Sequence, residues 1–187
     1  MTVKDIILTS ATFLGREDII SYLNGDEVSQ VSLNIEKEIS ILVRLLNIVV
    51  SEIATDFVPI KTIETARSNN GQILFSSLLE TPLDILNVYD VYSNKINFSL
   101  TPLYIKTKPE SVKVEYTYIP QPLSLTSPFP YSEKQLPSRV FAYGVAYNTC
   151  LFEGKFDEAD LWEKKYREAL ALVVLPKSSS VKGRWWR

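Results

Sequence analysis

The sequence predicts an α+β fold in which N- and C-terminal helices form one bundle, with an inserted antiparallel β-hairpin/sheet region. Three observations carry that prediction. Apolar residues recur at helical spacing over residues 3–54 and again over 138–174. Between them, from Phe57 to Ile119, short runs rich in Val, Ile, Thr, Tyr and Phe are separated by turn signals, with no helical pattern among them. Helices, then strands, then helices make the sheet an insertion rather than part of alternating βαβ units.

The first helix is read over residues 3–14, where Ile6, Ile7, Ala11 and Leu14 line one face and Gly15 closes it. REDIISYLNGD starts a second short helix that stops at Asn24-Gly25. A long helix follows from Leu33 to Ala54, its core stripe formed by Ile35, Ile39, Leu42, Leu46, Val49 and Ile53. Ile41, Leu45 and Ile48 form a second apolar line, leaving only Lys37, Ser40, Arg44, Asn47 and Ser51 as a polar strip. Cover on most sides is implied, either as the central helix of one subunit's bundle or partly by a neighbouring subunit.

Strands are expected near 58–66, 72–77, 85–92, 95–99, 102–106 and 111–119. The last alternates most cleanly, with Val112, Val114, Tyr116 and Tyr118 facing a core and Lys113, Glu115 and Thr117 facing away. Short loops at Ser93–Lys95 and near Lys108–Glu110 suggest hairpins. Half of the ten prolines then crowd into Pro120–Pro137, which excludes helix and central strand and predicts an ordered loop or linker. A helical hairpin ends the pattern. SRVFAYGVAYNTCLF is its first arm, Gly154 its break, and DEADLWEKKYREALALVV its second, with Asp157 read as N-cap. Ala159, Trp162, Tyr166, Ala169 and Val173 face inward, and Glu163 with Arg167 marks the solvated side. The expected organisation is therefore 1–56 N-terminal helices, 57–119 β insertion, 120–137 proline-rich loop, 138–175 C-terminal helical hairpin and 176–187 basic-aromatic arm.

The chain has 187 residues and no histidine, which removes the commonest general base and transition-metal ligand. A histidine-bearing zinc site, a Ser-His-Asp triad and a Cys-His dyad are thereby excluded, and the six glycines form no phosphate-binding loop. No catalysis and no cofactor are expected. MTVKDIILTS has neither the basic flank nor the apolar run of a signal peptide, and no stretch has the ~18 apolar residues of a membrane helix. One cysteine, Cys150, allows no internal disulfide and fits synthesis in a reducing cytoplasm. Cys150 reads as a buried structural thiol. The acids Asp157, Glu158 and Asp160 suit a first helical turn better than a metal site.

Charge is unevenly spread. Pro176–Arg187 holds four of the 20 basic residues and none of the 22 acids, so the formal −2 is −6 on the body and +4 on the arm. Two of the three tryptophans lie there too, in GRWWR. Trp and Arg are the residues most enriched at interface hot spots. Lys182, Arg184, Trp185, Trp186 and Arg187 are therefore the expected partner-binding residues, with a fold-back onto the same subunit as the alternative. A nucleic-acid-binding module is the second functional reading, using this arm and a stacking platform of Tyr89, Tyr92, Tyr104, Tyr116 and Tyr118. Acids at 84, 90, 110 and 115 offset the lysines of that region and weaken it.

Four stretches resemble the phage head-to-tail connector (adaptor) proteins of the tail tubular protein A type. They are ILNVYDVYSNKINFSLTPLYI, VKVEYTYIPQPL, the hairpin FAYGVAYNTCLFEGKFDEADLWEKKYREAL and the ending GRWWR, all within residues 85–187. The resemblance implies a non-enzymatic structural subunit of the virion, assembled in the host cytoplasm. It implies a homo-oligomeric ring, usually dodecameric, at the head-tail junction, with the portal protein and a tail (nozzle or tail-tube) protein as partners. Double-stranded DNA would pass through the lumen without specific binding, and no membrane is involved. A body at −6 fits such a lumen, because it repels DNA.

Overall fold

In a computed structural model, residues 1–25, 32–108 and 111–174 are described, and the fold is α+β as expected. The chain divides into two compact units. One takes in the chain up to Leu46 and from Leu125 onward; the other is Asn47–Ser124.

The first unit is helical. Helix α1 (Val3–Phe13) opens with a capping box, in which Thr2 Oγ1 accepts from the Asp5 amide and Asp5 Oδ2 accepts from the Thr2 amide. Val3, Ile6, Ile7 and Ala11 bury its inner face. Helix α2 (Glu17–Asn24) places Glu17 and Asp18 in its first turn, where the helix dipole favours them, and ends at Gly25 in the left-handed region. Helix α4 (Ser138–Phe152) packs on α1 and, through a short turn at Gly154, on α5 (Phe156–Val174). Phe13, Tyr143 and Trp162 lock α1, α4 and α5 together as a stack, with ring centroids 5.1–5.9 Å apart. Asp157 falls inside the first turn of α5 rather than capping it, because the helix begins one residue earlier at Phe156. The part of the proline-rich loop in this unit is ordered by aromatic anchoring. Phe129 meets Phe141 edge-on at 4.7 Å, Tyr131 lies 5.4 Å from the same ring, and Leu136 is fully buried.

Helix α3 (Ser32–Glu52) runs through the boundary between the units. All six residues of its predicted core stripe are buried. Among the described residues the second apolar line is only partly covered: Ile41 and Leu45 are half-buried and Ile48 is 55% exposed. Beyond Glu52 the helix widens into one π turn, Ile53–Phe57, closed by the Val58 amide on the Ile53 carbonyl. Pro59, which lacks an N–H and holds Val58 out of the helical region, ends it there.

The second unit holds two three-stranded sheets, and every strand pairing among the described residues is antiparallel. One has the order β1 (Ile60–Arg67), β6 (Ser111–Tyr118), β3 (Pro82–Tyr89); the other has β2 (Gln72–Leu74), β5 (Tyr104–Lys106), β4 (Ser99–Leu100). They share one core. Val88, Val112, Val114 and Tyr116 from the first sheet meet Ile73 and Ile105 from the second. Several expectations need correction. The expected strand 72–77 stops at Leu74, and Phe75–Ser77 is a short 3-10 turn. Thr117, expected to face away, is buried. Residues 95–98 form no strand: they meet β3 through the Tyr89–Lys95 bridge and the Ile96 amide on the Val88 carbonyl, and the side chain of Asp90 accepts from the Tyr92 and Asn94 amides to close the turn. The Lys108–Glu110 loop joins no hairpin, since β5 and β6 belong to different sheets.

Candidate docking surfaces

The expected partner-binding residues Lys182, Arg184, Trp185, Trp186 and Arg187 lie outside the described residues, as does the whole 176–187 arm. The surfaces below belong to the described residues of the two units.

On the helical unit, the turn between α1 and α2 places Arg16 among three carboxylates from three elements. It bonds Glu38 of α3, lies 3.4 Å from Asp18 of α2 and 3.7 Å from Glu153 after α4. Burial works against the guanidinium charge, but the Asp18 hydrogen bond and the Glu38 and Glu153 charges outweigh it and hold Arg16 above its ordinary value. Lys155 caps the cluster with a 2.7 Å bond to Glu153. Beside these charges is a concavity of about 170 Å³ with an apolar floor of Leu14, Ile19, Ile41 and Leu42 and one wall from Phe152. Phe152 is 68% exposed, and Phe156 across the turn is 67% exposed. Ile41 also borders a shallower groove along α3, of about 530 Å³, lined by Leu33, Glu36, Lys37, Ser40 and Arg44. On α5, Leu161 and Leu172 face outward, and Leu172 is 71% exposed. Isolated exposed apolar residues are ordinary; several beside open concavities make a candidate interaction surface.

On the β unit, the five tyrosines do not share one face. Tyr116 is fully buried, its hydroxyl donating to Glu64 at 2.9 Å and accepting from the Glu80 amide at 3.3 Å. Burial, chiefly, pushes it up to about 12. Tyr89 lies on the opposite face, where it and Asn87 both donate to Glu115 and hold that carboxyl below its usual range. Tyr92 is 83% exposed at the hairpin tip. A concavity of about 360 Å³ lies beside Tyr89 and is lined by Ile63, Thr65, Ser93 and Lys113.

Cys150 is buried in α4, and burial raises its thiol above the ordinary range. Asp157, Glu158 and Asp160 are exposed, and no group of three metal-ligating side chains occurs among the described residues. No described helix is long and apolar enough to cross a membrane. The Arg16 cluster was not singled out from sequence: its carboxylates come from positions far apart in the chain, and no spacing rule joins them. No family model matches the chain, and no curated protein matches it either.

Proposed function

We propose that this chain is a structural subunit of a phage head-to-tail connector ring. In this reading it docks on the portal, continues the DNA channel and offers the tail its attachment surface. The order of the fold carries the proposal: helices from both ends of the sequence build one unit, and an antiparallel β unit is inserted between them. That is the order of parts in the connector family whose sequence pattern residues 85–187 resemble. Apolar positions on α3, α5 and the α4–α5 turn that stay exposed among the described residues supply contact surface for neighbouring copies. The acidic body suits a lumen through which DNA slides without binding. A non-enzymatic role in the virion follows from this reading. Mixing the protein with its portal and imaging the particles tests it. A ring of this chain on the portal is expected; a chain that stays monomeric and never associates overturns it.

A further inference from the structure

We infer that the concavity between Leu14, Ile41 and Phe152 is the receptor for the basic-aromatic arm of a second copy of this chain, with Trp185 or Trp186 seated in it and Arg184 or Arg187 on its acidic rim. The inference deepens the connector reading by naming the contact between neighbours, and it rests on that reading only for its setting. Size comes first. An engineered cavity of about 150 Å³ takes one benzene ring, so about 170 Å³ is room for one aromatic side chain. The floor is aliphatic, which suits an indole. Arg16 lines the same space, and guanidinium groups stack on aromatic faces.

Charge comes second. Glu38 and Glu153 line the concavity with Arg16, and with Asp18 and Lys155 paired to that cluster the acids outnumber the cations three to two. The last six residues, KGRWWR, carry three cations and no acid. The complementarity is thus between an acidic, apolar socket and a basic, aromatic segment of the same sequence.

Reach decides between the chain's own arm and a neighbour's. The socket lies at the α4–α5 turn, whereas the described chain ends at Val174, the far end of α5. The 19 residues of α5 separate those points by about 28 Å at 1.5 Å per residue. Trp185 is eleven residues past Val174, and eleven residues reach at most about 38 Å fully extended. Docking in cis would need most of the chain's extended length, drawn back along its own helix. An arm supplied by a neighbour does not have to turn back along its own α5.

Disulfide trapping between full-length chains tests this. One chain carries Gly183→Cys beside the tryptophans and the other Lys155→Cys at the rim; the native Cys150 is buried and serves as background. A mixed disulfide between the two chains is expected. It should form more slowly by roughly tenfold or more, as for loss of an interface hot spot, when the arm carries Trp185→Ala with Trp186→Ala. Phe152→Glu in the receptor chain should slow it as much, and that site is exposed enough to spare the fold. Tyr92→Cys on the β unit is the positional control. Equal trapping at Tyr92→Cys, indifference to Phe152→Glu, or an internal bridge in a chain carrying both cysteines would each overturn the inference. Portal rings that assemble normally with Phe152→Glu would remove this contact and leave the connector reading standing. Trapping without any portal association would do the reverse.

Discussion

Asn47 holds the backbone of Leu123 from both sides: its Nδ2 donates to the Leu123 carbonyl at 3.0 Å, and its Oδ1 accepts from the Leu123 amide at 2.7 Å. These residues stand near the entry and exit of the β unit, 76 positions apart in sequence. One amide side chain thereby satisfies both polar groups of a proline-flanked residue that no strand pairs. Asn47→Ala should destabilise the protein by about 1–3 kcal/mol, the cost of leaving partly buried backbone groups unpaired. Asn47→Asp should not restore it, because a carboxylate then faces the Leu123 carbonyl. Denaturant unfolding of the three proteins measures this.

Gly71 turns β1 into β2 with φ +78°, and a Cβ there would lie 2.7 Å from the Thr107 carbonyl oxygen. The same residue's carbonyl accepts from the Thr107 amide at 2.8 Å, so the two backbones cannot separate without losing that bond. Gly71→Ala should cost about 1–3 kcal/mol through positive φ and this collision together. The loss should appear in the β unit, read by hydrogen exchange at Ile73 and Ile105.

Tyr116 should set the alkaline limit of the β unit. Its folded pKa, raised to about 12 from 10, means the unfolded chain loses the phenolic proton first. The contribution is fully present below pH 10 and is lost as pH rises through about 12. Tyr116→Phe should flatten this dependence and cost about 1–2 kcal/mol at neutral pH, since Glu64 and the Glu80 amide lose a partner. Unfolding measured across that alkaline range checks both statements.

The capping box at Thr2 predicts a change at the acid end. Hydrogen bonds from the Thr2 side chain and amide hold the Asp5 carboxyl below its ordinary value of 3.8. A depressed folded pKa contributes stability above the unfolded value, and that stability fades as pH falls below 3.8 through the folded value. Thr2→Ala should cost about 1 kcal/mol at neutral pH. Its difference from the parent should shrink in acid.

The helices were legible because their periodicity is local. The α3 stripe from Ile35 to Ile53 is buried at every predicted position, and the Glu163–Arg167 pair closes at 2.6 Å as its spacing implies. Asn47 carries a role that its spacing does not report. It sits at the spacing of the polar strip with Lys37 and Arg44, and only a partner 76 residues away shows that it is not merely solvated. The β region was legible as strands and not as a topology. Nothing local in Lys106–Ser111 shows that the chain is leaving one sheet for another. Tyr116 was readable as core-facing from the alternation of its strand, whereas nothing local in the sequence shows that Tyr89 turns to Glu115. The Arg16 cluster and its socket needed three elements to converge, which no pattern of spacing reports.

The central claim is that this chain builds a ring at the head-tail junction. Electron cryomicroscopy of the full-length protein mixed with portal particles tests it most directly. The account predicts a closed ring of this chain seated on the portal, lost or weakened when residues 176–187 are removed. A protein that stays monomeric beside bare portals, at every concentration and salt tried, would contradict it.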